Sequence, residues 1–317
     1  MDIIRRVVSI LIPVSFLFIL TAFALQAEQR TGLQHNKITF QGQERTFDYY
    51  VPTSYSSDVS VPLVFSFHGR GSTSENIIKL TNFDTLAERE GFIAVFPNSA
   101  VVNEPNLKRG HERQWNDGRF DTPAFRAGID DVQFISKVLD YFENHYNIDS
   151  SRIYATGMSN GAFFANRLGV ELSERISGIG AVAGTLAAPI ASQKPNVPVS
   201  VVLIMGTDDP IVPYDGVQGD SLSADDTVRF WKNANGLDAK QAVKKLTKKA
   251  NDDNTEIIKT TYASPANDVE VVFYKVAGGG HTWPGGPQYA KESKIGKTST
   301  HMNATEVIWH ELKKFQK

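Results

Sequence analysis

Arg152-Ile153-Tyr154-Ala155-Thr156-Gly157-Met158-Ser159-Asn160-Gly161 is the stretch on which the fold turns. Residues 152–156 are β-branched and aromatic enough to read as a buried strand. Residues 160–172 then carry Phe163, Phe164 and Leu168 at helical spacing. Between them lies G-x-S-x-G, a weak signal by itself and a stronger one in this context. A nucleophile elbow requires strand, sharp turn and helix in that order, with small residues two positions either side of the serine. The helix behind such a turn aims its N-terminus at the site, where developing negative charge is stabilised. Ser159 is therefore the candidate nucleophile; the alternative is an idle serine on a glycine-flanked turn.

Outward from the elbow, apolar runs and amphipathic stretches alternate. Residues 61–67 are a dense apolar run, as expected of a central strand covered on both faces. Residues 76–89 have helical spacing, 92–97 read as a second buried strand, and 98–128 read as a long polar loop. A helix is predicted over 131–146, N-capped by Asp130 or Asp131. Strands follow at 179–183 and 199–205, a helix near 224–234, a strand near 269–276, and a closing helix after Asn303, which with Glu306 forms a capping-box pattern. Two strands, 38–40 and 45–51, precede this series, and the lysine-rich stretch 240–249 reads as a solvated surface segment. The alternation predicts an α/β fold with a mainly parallel central sheet and helices on both faces, built as one domain over residues 28–317.

The chain has 317 residues, 41% of them apolar and 21% charged, with a formal charge of −2. Its charges are interspersed, so nucleic acid and anionic membranes are excluded as main partners of a chain with no basic patch. The absence of cysteine excludes disulfides, thiolate catalysis and thiolate metal sites. Arg5 and Arg6, an apolar stretch over 7–25 and the small-residue sites Ala22-Phe23-Ala24 and Leu25-Gln26-Ala27 read as a secretory signal peptide, residues 1–27. An uncleaved anchor is the alternative, because the apolar stretch is long enough to span a bilayer. The expectation is a secreted protein, extracellular or periplasmic, with no membrane contact in its mature form.

A serine hydroxyl needs a base, and the base an orienting acid; on this fold they follow in the order Ser, Asp or Glu, His. His281, His301 and His310 follow a plausible acid. His310 lies within the terminal helix and His301 just before it. His281 follows a strand and Gly278-Gly279-Gly280, a loop able to bring the imidazole over the sheet edge. For the acid, residues 201–205 run into Asp208-Asp209-Pro210, and carboxylates just past the end of a buried strand lie on the functional edge of such a sheet. Only one of the adjacent pair can point at His281, and the residues alone do not choose. The oxyanion hole would use the backbone N–H of Asn160 and one from the loop His68-Gly69-Arg70-Gly71, best Arg70. No metal-ligand spacing is present and no cofactor is needed.

Together these segments resemble a known family. Phe67-His68-Gly69, residues 87–92 with Pro97, Gln114-Trp115-Asn116, Asp130-Asp131-Val132, Asp149 with Arg152, the elbow, and the segments 206–214, 278–284 and 306–309 are similar to the secreted feruloyl esterases and polyhydroxybutyrate depolymerase-like esterases of the α/β-hydrolase superfamily. The resemblance spans nearly the whole mature chain. It implies that the acid precedes a Pro-x-Val-Pro-Tyr-like segment, here Asp209 before Pro210, and that His281 of Gly-Gly-His-Thr-Trp-Pro is the base. Two departures stand out: the family's cysteines are missing, so packing must hold the 98–128 region or leave it mobile, and Ala162 replaces a glycine after the elbow. Trp115 and Trp283 are the aromatic candidates for substrate binding, each with core packing as its alternative.

The expected activity is ester hydrolysis through an acyl-enzyme, on feruloyl or other plant-polymer esters, polymeric substrates included. The alternatives are a polyhydroxyalkanoate depolymerase or oligomer hydrolase, a serine peptidase, and a catalytically silent binding protein on the same scaffold.

Overall fold

The computed structural model describes residues 30–107, 110–120, 122–237, 241–246, 253–264 and 267–317; the expected signal segment, residues 1–27, lies outside them. The chain enters the sheet by a hairpin. Strands β1 (Gly32–Phe40) and β2 (Gln43–Val51) pair antiparallel. Gln41 and Gly42 between them both have positive φ (49° and 74°), the geometry of a two-residue hairpin turn.

Strand β3 (Val61–Phe67) is buried at every position. The single helix expected over 76–89 is instead two, α1 (Ser74–Thr81) and α2 (Phe83–Glu90). Asn82 breaks it in the left-handed region (φ 52°), which Asn tolerates better than most residues, and its N–H donates to the Ile78 carbonyl. Strand β4 (Ile93–Pro97) follows. The polar stretch after it is not all loop: β5 (Val101–Asn103) and β6 (His111–Arg113) form a hairpin, and α3 (Pro123–Arg126) is a four-residue helix capped by Thr122. β5 buries only Val102 and α3 only Pro123 and Ala124, too few side chains to show a hydrophobic period.

Helix α4 (Asp131–His145) is capped by Asp130, whose carboxylate accepts from the Gln133 N–H at 3.1 Å. Asp131 is fully buried and accepts from Arg45 at 2.6 Å. Then come β7 (Ile148–Met158), α5 (Asn160–Glu171), β8 (Gly178–Val182), β9 (Ser200–Gly206) and α6 (Ala224–Ala234). Part of the lysine-rich stretch, expected to be a plain surface segment, is an edge strand, β10 (Gln241–Lys245). It pairs with β11 (Glu256–Ser264), which pairs with β12 (Asn267–Ala277). Lysines on an exposed edge oppose further strand addition. The chain ends with α7 (Glu292–Ile295) and α8 (Ala304–Leu312). Asn303 caps α8 by accepting from the Glu306 N–H, but Glu306 turns its carboxylate to Arg89.

The ten-stranded sheet runs β1-β2-β4-β3-β7-β8-β9-β12-β11-β10. The six strands from β4 to β12 are mutually parallel, and the antiparallel pairs sit at the two ends. Side chains alternate along each strand: Leu63, Phe65 and Phe67 face one core with α4, α5 and α6, while Val64 faces the other with α1, α2 and α8. Each fully buried aliphatic or aromatic side chain contributes about 2 kcal/mol. This two-sided cover is the α/β-hydrolase architecture, with residues 31–317 as one compact unit. Among the described residues, no helix is long and apolar enough to cross a membrane.

Candidate active site

Ser159 sits between β7 and α5 with φ 57° and ψ −123°, a conformation that strains any residue with a Cβ. Its N–H donates to the Val182 carbonyl at 3.0 Å, which ties the turn to β8. The flanking glycines are required by space. A Cβ on Gly161 would lie 2.2 Å from the Phe67 carbonyl oxygen, and one on Gly157 would lie 2.5 Å from that of Gly161. Ala162, the departure after the elbow, is accommodated because residue 184 opposite it is glycine; a Cβ there would come within 2.7 Å of the Ala162 methyl.

Asp209 lies just beyond β9 and His281 just beyond β12, and β9 and β12 are adjacent parallel strands. Their C-terminal ends therefore bring the two side chains together from 72 positions apart, with Asp209 Oδ2 2.8 Å from His281 Nδ1. The other carboxylate oxygen, Oδ1, accepts from the Ile211 and Val212 N–H groups, both at 2.8 Å. Asp209 thus has both oxygens engaged in a buried setting, whereas the exposed Asp208 accepts from the hydroxyl of its neighbour Thr207. The His281 main chain is fixed as well: its N–H donates to the Ile295 carbonyl, and its carbonyl accepts from the Tyr289 hydroxyl at 2.7 Å.

Ser159 and His281 open onto one cleft of about 640 Å³. Gly69 and Arg70 line it beside the serine, and Met158, Ile211, Pro287 and Ile295 make much of its surface apolar. A Cβ on Gly69 would lie 3.4 Å from that of Ser159, so the loop after β3 passes close over the elbow. Among the described residues, no hydrogen bond engages the N–H of either Arg70 or Asn160. Arg70 is braced by an ion pair with Glu112 of β6, and the next N–H, of Gly71, donates to the Arg113 carbonyl. A backbone N–H left free beside a serine is a donor able to stabilise a developing oxyanion.

His68, whose role the sequence did not reveal, holds this loop from below. It is fully buried; its Nδ1 lies 2.7 Å from the Gly69 carbonyl, and its Nε2 accepts from the Ser99 N–H at 3.1 Å. One nitrogen donates and the other accepts, which fits the neutral ring only. Burial pushes the His68 imidazole down to about 4, with Arg113 and Arg45 nearby acting in the same sense. Because the unfolded chain takes up the proton first, stability is fully present above about pH 6.5 and drains as pH falls towards 4, by about 3 kcal/mol in all. The Glu90 and Glu311 carboxyls, held near 2, lose their contribution only below the ordinary carboxylate range. Thermal unfolding followed from pH 7 to pH 4.5 is expected to show this loss, and His68→Asn to flatten it; an unchanged slope in the variant would assign the loss elsewhere.

The two tryptophans expected at the substrate do not line the cleft. Trp115 is 0% exposed, stacked on Phe164 at 4.9 Å, and Trp283 is 1% exposed against Phe83. Their indole N–H groups are satisfied internally, by the His68 carbonyl and by Thr305. Large flat side chains have more to gain in the core than in an open cleft. Trp115 still serves the site indirectly. The Asn160 side chain accepts from its N–H at 2.8 Å and donates to its carbonyl and to buried Asp117. Asn116, the next residue, donates its N–H to Asp131 at 2.8 Å. Hydrogen bonds thus hold the segment around Trp115 in a chain with no cysteine. Sequence reasoning missed Asp117 and Glu112, whose partners Asn160 and Arg70 lie 43 and 42 residues away. Tyr289 is only eight residues from His281, but no local period marks the loop that folds it back. Only Asp117 gave a local hint, its place directly after Gln114-Trp115-Asn116.

The chain matches the phospholipase/carboxylesterase family over residues 54–258. It is 26% identical to a putative esterase, NocK, of Nocardia uniformis subsp. tsuyamanensis, over 77% of this chain and 72% of that one. It is 23% identical to a probable feruloyl esterase C of Aspergillus niger, over 54% of this chain and 57% of that one. Among solved structures, an acetyl xylan esterase from Aspergillus awamori superposes with a TM-score of 0.52 at 16% identity, covering 78% of this chain and 94% of the other, a likeness of fold. Sheet order, strained elbow and family match converge, and the chain belongs to the phospholipase/carboxylesterase family of the α/β-hydrolase fold.

Proposed function

We propose that this chain is an exported serine carboxylic ester hydrolase acting on feruloyl or related acyl esters of plant polymers. The observation that carries the reading is the buried 2.8 Å contact between His281 and Asp209 in the cleft that also holds Ser159 on its strained turn. In the reaction, Ser159 Oγ attacks the ester carbonyl while His281 takes its proton, and Asp209 orients the imidazole and stabilises its charged form. The amides of Asn160 and Arg70 bind the oxyanion. His281 next protonates the departing alcohol, then activates the water that releases the acid and frees the serine. The choice of acyl class is supported by relatives named for feruloyl and acetylxylan esters, and export by the N-terminal sequence pattern alone. Ferulate release from feruloylated arabinoxylan, acetate release from acetylated xylan and 3-hydroxybutyrate release from the polyester, measured in parallel, test it. Ferulate or acetate release well above the third supports the reading, and polyester turnover alone would overturn it.

A further inference from the structure

Three glycines, Gly278 (φ 73°), Gly279 and Gly280, carry the chain from β12 to His281. Such a run has unusual conformational freedom, which has to be removed if the imidazole is to hold one place. Backbone bonds remove part of it: Gly280 N–H donates to the Lys297 carbonyl at 2.9 Å, and His281 N–H to that of Ile295. On the imidazole, Asp209 holds Nδ1. The carbonyl of His281 has a different kind of partner, the hydroxyl of Tyr289, at 2.7 Å. Among the described residues that line the cleft, Tyr289 is the one Phe, Tyr or Trp, and it is 47% exposed. Burial of its hydroxyl, with Asp209 nearby, pushes that group up to about 12, so it remains a donor at any working pH.

We propose that Tyr289 is a positioning residue with two separable roles: its hydroxyl fixes the main chain of His281, and its ring is the aromatic wall that the substrate's acyl group packs against. The inference rests on the serine-esterase reading and assigns the cleft a preference for aromatic over acetyl esters. The hydroxyl acts through His281, so its loss lowers turnover without changing what the cleft holds. The ring acts on the bound ester, so its loss weakens binding of the larger acyl groups.

The test compares Tyr289→Phe and Tyr289→Leu with the full-length wild type on methyl ferulate and on p-nitrophenyl acetate. Displacing a catalytic group by a fraction of an ångström to one ångström lowers kcat by about 10- to 100-fold, and that is the fall expected of Tyr289→Phe on both esters, with KM unchanged. Labelling of Ser159 by a fluorophosphonate should slow by the same factor, because it depends on the same base. Tyr289→Leu should add about a fivefold rise in KM for methyl ferulate and none for the acetate, the scale of a lost aromatic contact. Wild-type kcat in Tyr289→Phe, or slowed turnover with wild-type labelling, would overturn the first role; equal KM changes on both esters in Tyr289→Leu would overturn the second. Wild-type hydrolysis and labelling lost in Ser159→Ala, with Tyr289 variants unaffected, would sink this inference and leave the esterase reading standing. An inactive, unlabelled wild type would sink both.

Discussion

Ser159→Ala is expected to lower kcat on a p-nitrophenyl ester by a factor on the order of 10⁵, with substrate still bound and the fold intact. Losses of that size follow when the nucleophile of a serine hydrolase is removed, because base, acid and oxyanion amides then have no covalent step to assist. The turn itself should survive. It is held by the Ser159 N–H to Val182 carbonyl bond and by glycines at 157, 161 and 184, none of which involves the hydroxyl. Alanine inherits the strained backbone at φ 57°, so its melting temperature should stay close to wild type. Ser159→Gly relieves that strain and should be the more stable of the two by about 1 kcal/mol, although equally inactive. Turnover assays beside thermal unfolding check all of this; near-normal turnover by Ser159→Ala would remove the serine from the mechanism.

The second large effect concerns the choice between adjacent carboxylates. Asp209→Asn is expected to lower kcat by about 10³- to 10⁴-fold, because an amide facing Nδ1 offers a donor where the imidazole needs an acceptor, and so favours the wrong tautomer. The substitution keeps an oxygen for the Ile211 and Val212 N–H groups, so the turn beyond β9 need not open. Asp208→Asn, one residue earlier and exposed, should remain near wild type. The reverse result, loss at 208 and tolerance at 209, would contradict the 2.8 Å contact as the working one. kcat from steady-state assays on the two variants, with circular dichroism to confirm folding, decides it.

Local pattern carried much of this architecture. Strand β3 was legible at both ends because all seven of its residues are buried, so apolar run and strand coincide. Helix α6 was legible for the same kind of reason, with Thr227, Val228 and Trp231 buried on one face. Strands β10 and β11 were not, since one is a lysine-bearing edge and the other is mostly half-buried, and neither shows a clean period. The break at Asn82 escaped because the apolar spacing continues across it, from Ile77 to Phe83 and Leu86. Periodicity records which side chains face the core, and a single left-handed residue can reset the axis without disturbing that record.

For the site, the sequence by itself determined the elbow and the histidine after the glycine run, because each is written in contiguous residues: a serine between glycines that must be small, and an imidazole at a strand end. It narrowed the acid to two neighbours. Tertiary structure decided the rest. The adjacency of β9 and β12 brings Asp209 to His281, burial sends Trp115 and Trp283 into the core, and folding of the 282–297 loop carries Tyr289 back onto His281. Contacts made within a few residues are fixed by backbone geometry and can be read along the chain. Contacts between segments 50 or more residues apart depend on which strands become neighbours, and only the packed sheet settles that.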